Sequence, residues 1–465
     1  MTSLANIQSN SSREHAGAEL QKGSFLVSKF DELLLVLMVV ALSVQGPSLF
    51  ALGSMDFTLG HALVGIVGAV SVIRCLYVSK RIVIPPVSLN ILFGTFVVLT
   101  CLNSSPFGFG TMIFKYVFQY LVLVVALNLM ALISDGDRSS QLITWGAWIV
   151  LAIVLINAAM NYGAFLEYYD HPWDGHPNFS TVFSGGVNLE ATWPAMLGVF
   201  FKDNKEGHIY LAITYVFAAL VQSRAGVMLA VLAMAYVIVV RRNEASRLIF
   251  RILIVIAAGI FAVLFVLVGP RAISAQASAE AAQEAALAAT EDSGLSATEE
   301  SSQPKGVPGR SGIWAASMEL LEDMPLLGFG SGHAMDAVRS LTQYPYREDN
   351  VHNYPLQIML DFGFIGFAVF AVITAAFLVK AIRARMRSPF AAFVVLYLIG
   401  GMIQFAGAEL LVGFALAGYF AFGADMQGGS AWVFGKGRIY QLNHQQADKT
   451  LVAEERHMTE GSLDD

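Results

Sequence analysis

Three residues of this 465-residue chain stand out because chemistry could use them where they sit. Arg224 lies in Val-Gln-Ser-Arg-Ala-Gly-Val-Met-Leu, between two apolar runs. A charge at membrane depth costs about 2.5–3.5 kcal/mol or more at the centre of a span, which makes function the default reading. The plain alternative is a helix-end arginine whose aliphatic stem lets its head reach the interface. Arg310 precedes a short amphipathic segment in Pro-Gly-Arg-Ser-Gly-Ile-Trp. A helix N-terminus favours anions, and a guanidinium adds a forked donor set that matches phosphate. Taken alone, a solvated loop arginine is the simpler reading. His352, in Val-His-Asn-Tyr-Pro, can accept a proton from a hydroxyl near neutral pH. It could equally hydrogen-bond the start of the helix that follows.

Other polar residues carry weaker signals. The turn Gly-Phe-Gly-Ser-Gly at 328–332 could bring backbone close to a phosphate. It is not followed by Gly-Lys-Ser/Thr, so it is no nucleotide P-loop. Glu190 and Glu409 sit near outer ends of apolar runs. Either could act as an acid or base, but pairing with Arg224 or Arg310 is the favoured expectation. The loop 163–183 holds Glu167, Asp170, His171, Asp174 and His176, yet their spacing fits no zinc signature, so no metal site is expected. Tyr168, Tyr169 and Trp173 fit interfacial rings that could stack on sugar faces. Cys75 and Cys101 fall near opposite ends of neighbouring spans. Roughly 30 Å of hydrocarbon would separate them, so no disulfide is expected.

These residues need a scaffold, and composition says which. The chain is 56% hydrophobic and 14% charged, with apolar runs of membrane-spanning length. The expectation is an all-α polytopic membrane protein of about twelve spans. They fall at 32–52, 58–78, 86–102, 113–134, 142–162, 184–201, 208–223, 225–240, 248–268, 355–379, 389–406 and 408–424. With both termini inside, 21 of the 28 Lys and Arg lie on the inner side. Residues 1–31 and 435–465 are then cytoplasmic, 32–269 and 355–424 are transmembrane, and 270–354 forms one large outer loop. The net charge of −7 gathers largely in that loop and the tail, so it defines no nucleic-acid face.

The outer loop changes character along its length. Residues 272–304 are rich in Ala, Ser and Glu and lack the apolar content of a core. From Pro308 a helix is expected, with Ser311 as cap and a stripe of Trp314, Met318 and Leu321. It would lie on the membrane surface or pack on other outer loops. Met324-Pro325 should end it. Asn353 should cap a helix with Pro355 in its first turn, which places His352 at the mouth of the tenth span.

Arg-Ser-Gly-x-Trp from Arg310, Pro-Leu-Leu-Gly-Phe-Gly-Ser-Gly from Pro325 and His-Asn-Tyr-x-Leu-Gln-x-x-x-Asp-Phe-Gly-x-x-Gly from His352 resemble the O-antigen ligase and polymerase superfamily. The resemblance is strongest over 308–366 and extends to Ser-Arg-Ala-Gly at 223–226 and to Asn188. It implies a GT-C-like membrane glycosyltransferase of the bacterial inner membrane, working at its outer face. The implied donor is an undecaprenyl-pyrophosphate-linked glycan and the acceptor a sugar hydroxyl, with no metal or other cofactor. Arg224 and Arg310 would hold the pyrophosphate, and His352 would act as base or orient the acceptor. Asn353, Asn188, Glu190 and Glu409 would support them. A ligase passes the chain to lipid A-core, whereas a polymerase passes it to the next lipid-linked repeat unit. A flippase of lipid-linked oligosaccharide is an alternative of another class. It should show a repeat between the two halves, and the sequence has none.

Overall fold

The computed structural model describes residues 29–44, 48–52, 55–79, 82–103, 105–110, 112–133, 135–170, 182–183, 186–204, 206–221, 223–240, 255–256, 258–259, 310–344, 346, 348–384, 386–403, 410–422, 431–435 and 438–442. Outside this set lie Glu409, His171, Asp174, His176, the insert 272–304, most of the expected span 248–268 and most of both terminal segments.

The protein is mostly helical. Helix α1 covers residues 29–43 and is followed by a hairpin of β1 (Ser48–Leu52) and β2 (Met55–Thr58). Then come α2 (Leu59–Arg74), α3 (Val87–Leu102), α4 (Met112–Ile133), α5 (Gly136–Met160) and α6 (Tyr162–Asp170). Helices α7 (Val187–Leu197), α8 (Gly207–Leu220) and α9 (Arg224–Val240) pack on one another. The outer-loop region supplies α10 (Arg310–Glu319) and α11 (Ala334–Thr342). Three more helices follow, α12 (Tyr354–Arg383), α13 (Pro389–Gly401) and α14 (Leu410–Phe422). A second hairpin joins β3 (Ala431–Gly435) to β4 (Arg438–Leu442).

Local chemistry sets several helix starts. Thr58 and His61 cap α2 reciprocally, Asp135 accepts the amides of Asp137 and Arg138, and Ser388 caps α13. Among the described residues, Leu59–Tyr77, Met112–Ile133, Gly136–Met160 and Tyr354–Arg383 are long and apolar enough to cross a membrane, and five shorter apolar helices accompany them. Outward-facing Ile66, Val98, Ile156 and Val372 are more than half exposed. Apolar side chains turned outwards along apolar helices mark a membrane protein.

Four expectations need correction. The fold is not purely α, because two hairpins are present. The first expected span does not reach residue 52, since helix ends at 43 and Ser48–Leu52 is strand; Gly46-Pro47 separates them in sequence. The stripe on α10 is only part of the buried face, since Trp314 and Leu321 pack against the core there. Ile313, Ala316 and Ser317 are buried, whereas Met318 is exposed and Arg310, not Ser311, opens the helix. Together with Met335, Val338, Val351 and Leu360, Ile313 builds a small core separate from the main one, so α10 packs on protein.

The fourth correction shapes the site. Helix α12 is not one straight span, because Gly363 has φ 67° and ψ −171°. The chain turns sharply there, and the rings of Tyr354 and Phe370 come within 5.3 Å. Sixteen residues of straight helix would separate them by about 24 Å. Residues 354–362 therefore form a short buried leg folded back on the start of a long apolar leg.

Candidate functional site

The short leg of α12 is held by the glycine turn. A break at Gly363 leaves the Leu360 and Asp361 carbonyls without their usual helical donors. Phe329 N donates to Leu360 O at 2.7 Å and Gly330 N to Asp361 O at 3.0 Å. A side chain on Gly363 would put Cβ 2.1 Å from Leu326 O, and one on Gly328 would put it 2.5 Å from Gly363 N. Both positions have positive φ, so glycine is required for shape and for space. Asn103 adds a clamp from the end of α3, donating to Leu327 O at 3.1 Å and Gly328 O at 2.9 Å.

A buried polar chain runs from this turn to His352. Asp361 is fully buried and accepts from Ala334 N at 3.2 Å. Gln357 Nε2 donates to its other oxygen at 3.0 Å, and Gln357 Oε1 accepts from Val351 N at 2.9 Å. Each buried group is satisfied, so the network is rigid. It fixes the backbone immediately before His352. Trp314 of α10 adds a bond from Nε1 to Val351 O at 2.8 Å.

His352 itself has φ 56°, a left-handed conformation uncommon outside glycine. Its N–H donates to Asn350 Oδ1 at 3.0 Å, and its buried Nδ1 has no hydrogen-bond partner among the described residues. Asn353 caps α12, its Oδ1 accepting from Leu356 N at 3.1 Å, as expected. Its Nδ2 donates to Met402 O at 3.1 Å, and Arg310 Nη1 donates to Ile403 O at 3.1 Å. Arg310 and Asn353, the residue after His352, are thus tied to one helix end, that of α13.

Arg310 also links to Arg224. The protein around Arg310, and after it the Arg224 charge, lower the Arg310 pKa. Burial, and then Arg310, push the His352 imidazole down to about 4, against an opposing pull from Glu348 and Asp349. The three residues singled out in the sequence therefore lie within electrostatic reach through Arg310. Arg224 opens α9, with Ser223 as cap accepting from Gly226 N at 3.2 Å. Gly226 is needed for packing, since its Cβ would sit 2.7 Å from the Ala191 Cβ. Arg224 is exposed and has no hydrogen bond or ion pair among the described residues.

The supporting residues separate. Asn188 is half-buried in the first turn of α7. Glu190 is fully buried and does not pair with either arginine. Its Oε1 accepts from Val182 N at 2.6 Å, while Oε2 has no hydrogen-bond partner among the described residues. Gln357 and Asp361 were not singled out from sequence, although a carboxylate inside Gln-Ile-Met-Leu-Asp-Phe-Gly-Phe-Ile-Gly was a usable signal.

Apolar helices with outward-facing apolar side chains define a membrane protein, and Arg310 lies within electrostatic reach of both Arg224 and His352. Residues 209–371 match the family model described as O-antigen ligase. The matched segment contains Arg224, Arg310, His352, Gln357 and Asp361. No curated protein matches the chain.

Proposed function

We propose that the protein transfers glycan from an undecaprenyl-pyrophosphate donor to an acceptor sugar hydroxyl at the outer face of the inner membrane, as an O-antigen ligase-type enzyme acting on lipid A-core. What supports this reading is the electrostatic interaction of Arg310 with both Arg224 and His352, together with the match of residues 209–371 to the ligase family model. Arg224 and Arg310 bind the pyrophosphate, which is a dianion or more that two forked donors can neutralise. The acceptor hydroxyl oxygen attacks the anomeric carbon while His352 takes its proton. The bond from that carbon to the pyrophosphate oxygen breaks, and undecaprenyl pyrophosphate leaves with its charge balanced by the arginines. No metal is needed for this sequence of events.

Deletion of the gene followed by examination of the surface glycan tests the assignment. Polymer missing from otherwise complete lipid A-core supports the ligase. Single repeat units on the core would reassign the same site to a polymerase, and an unchanged glycan would overturn both.

A further inference from the structure

At the opposite end of the helices, on the side that charge asymmetry assigns to the cytoplasm, a cavity of about 390 Å³ opens between α5, α12 and α13. Its lining includes Lys202, Arg383 and Arg387, with Asp137 the one carboxylate among the described lining residues. Lys202 is partly engaged, 3.3 Å from Asp203 Oδ2 and 3.3 Å from Arg387 O. The guanidiniums of Arg383 and Arg387 have no hydrogen bond or ion pair among the described residues. The positive-inside trend accounts for cations in this loop. It does not account for a cavity around them.

A second void makes the shape informative. An apolar groove of about 340 Å³ runs between α3, α12, α13 and α14, lined by Phe93, Phe370, Ala376, Leu398 and Leu416. Tyr419 lines both voids, and Lys380 stands at the groove's inner end. A cationic cavity that meets an apolar groove matches a molecule with a phosphate at one end and a hydrocarbon chain at the other.

We propose that this inner cavity and its groove bind one anionic phospholipid of the cytoplasmic leaflet, with the phosphate among Lys202, Arg383 and Arg387 and an acyl chain along Ala376 and Leu416. Charge complementarity selects an anionic headgroup, since the lining keeps an excess of positive charge. The groove selects a lipid over free phosphate, because burying a chain adds about 0.8 kcal/mol per methylene. The headgroup cavity lies at the Arg383 end of the long leg of α12, whereas the groove reaches along that leg as far as Tyr354, two residues from His352.

The test is lipid retention by the full-length protein in detergent, followed by native mass spectrometry, with phosphatidylglycerol, phosphatidylcholine and inorganic phosphate as probes. The unmodified protein should retain phosphatidylglycerol in preference to phosphatidylcholine, and inorganic phosphate should not displace it. The double variant Arg383→Gln/Arg387→Gln should weaken phosphatidylglycerol about thirtyfold, the effect of two charges near an anionic headgroup. Ala376→Trp should weaken it independently by filling the groove. Thermal unfolding in lipid-free detergent checks that both variants are folded. Equal retention of the two lipids, full retention by the folded double variant, or displacement by inorganic phosphate would each overturn the proposal.

Discussion

Arg310 and Asn353 grip neighbouring carbonyls at the end of the same helix, Arg310 that of Ile403 and Asn353 that of Met402, each at 3.1 Å. The last carbonyls of a helix have no intrahelical donor, so α13 offers them to the loop. This anchors a phosphate-matched side chain and the neighbour of His352 to one support. An arginine and a histidine far apart in the chain thereby keep a set spacing.

The turn at Gly363 should tolerate no side chain. A Cβ there would stand 2.1 Å from Leu326 O, in a backbone region nearly confined to glycine that costs other residues about 1–3 kcal/mol before any clash. Gly363→Ala is expected to lower the melting temperature and abolish transfer. Melting and activity near those of the unmodified protein would show that the folded-back leg is not needed.

Gln357 should act through Val351 rather than on substrate. Gln357→Leu leaves a buried carboxylate and a buried backbone N–H each short of a partner, at about 1–3 kcal/mol per group. The expected result is a kcat about ten- to a hundredfold lower with donor KM little changed, because His352 loses its set position while the arginines keep theirs. A rise in KM alone would place Gln357 in donor binding instead.

Arg224 makes no structural bond among the described residues, so its loss should leave folding intact. Donor affinity should fall sharply in Arg224→Ala and nearly as far in Arg224→Lys, since a point charge does not reproduce a fork on pyrophosphate. Binding of lipid-linked donor to the purified variants decides this. Near-normal binding by the lysine variant would reduce Arg224 to an interfacial anchor.

The pH dependence follows from the His352 environment. Burial, then Arg310, holds the imidazole near 4 in the folded protein, below its ordinary 6.5. The unfolded chain binds more protons between those values, so stability should fall as pH drops from about 6.5 towards 4. His352→Gln should remove that part of the fall. The acid limb of kcat/KM, which reports the free enzyme, should lie near 4. A bound pyrophosphate offsets Arg310, so the acid limb of kcat should lie at higher pH. Coincident limbs at about 6.5 would contradict this electrostatic picture.

Local patterns in the sequence pointed to much of this arrangement. Helix-forming apolar runs and the Asn353 cap follow from residue type and short spacing. What stayed hidden depends on partners distant in the chain. Asp-Phe-Gly-Phe reads as continuous apolar helix, and only the glycine turn at 328–332 lying against it explains why it breaks. The face buried by α10 is set by Val338, Val351 and Leu360, none of them nearby in sequence. Glu190 was expected to meet an arginine, but the amide of Val182 lies closer in the chain and donates to its Oε1. Gln357 and Asp361 look like helix residues until the carbonyls and amides around them are counted.

The most direct test of the account is glycan transfer by purified His352→Ala in lipid, with lipid-linked donor and acceptor supplied and donor binding measured in parallel. A positioned base contributes about 10²–10⁴-fold, so transfer should fall by that factor while donor binding and protein abundance stay near those of the unmodified protein. Transfer near the unmodified rate across pH would contradict the assignment of His352 as the base.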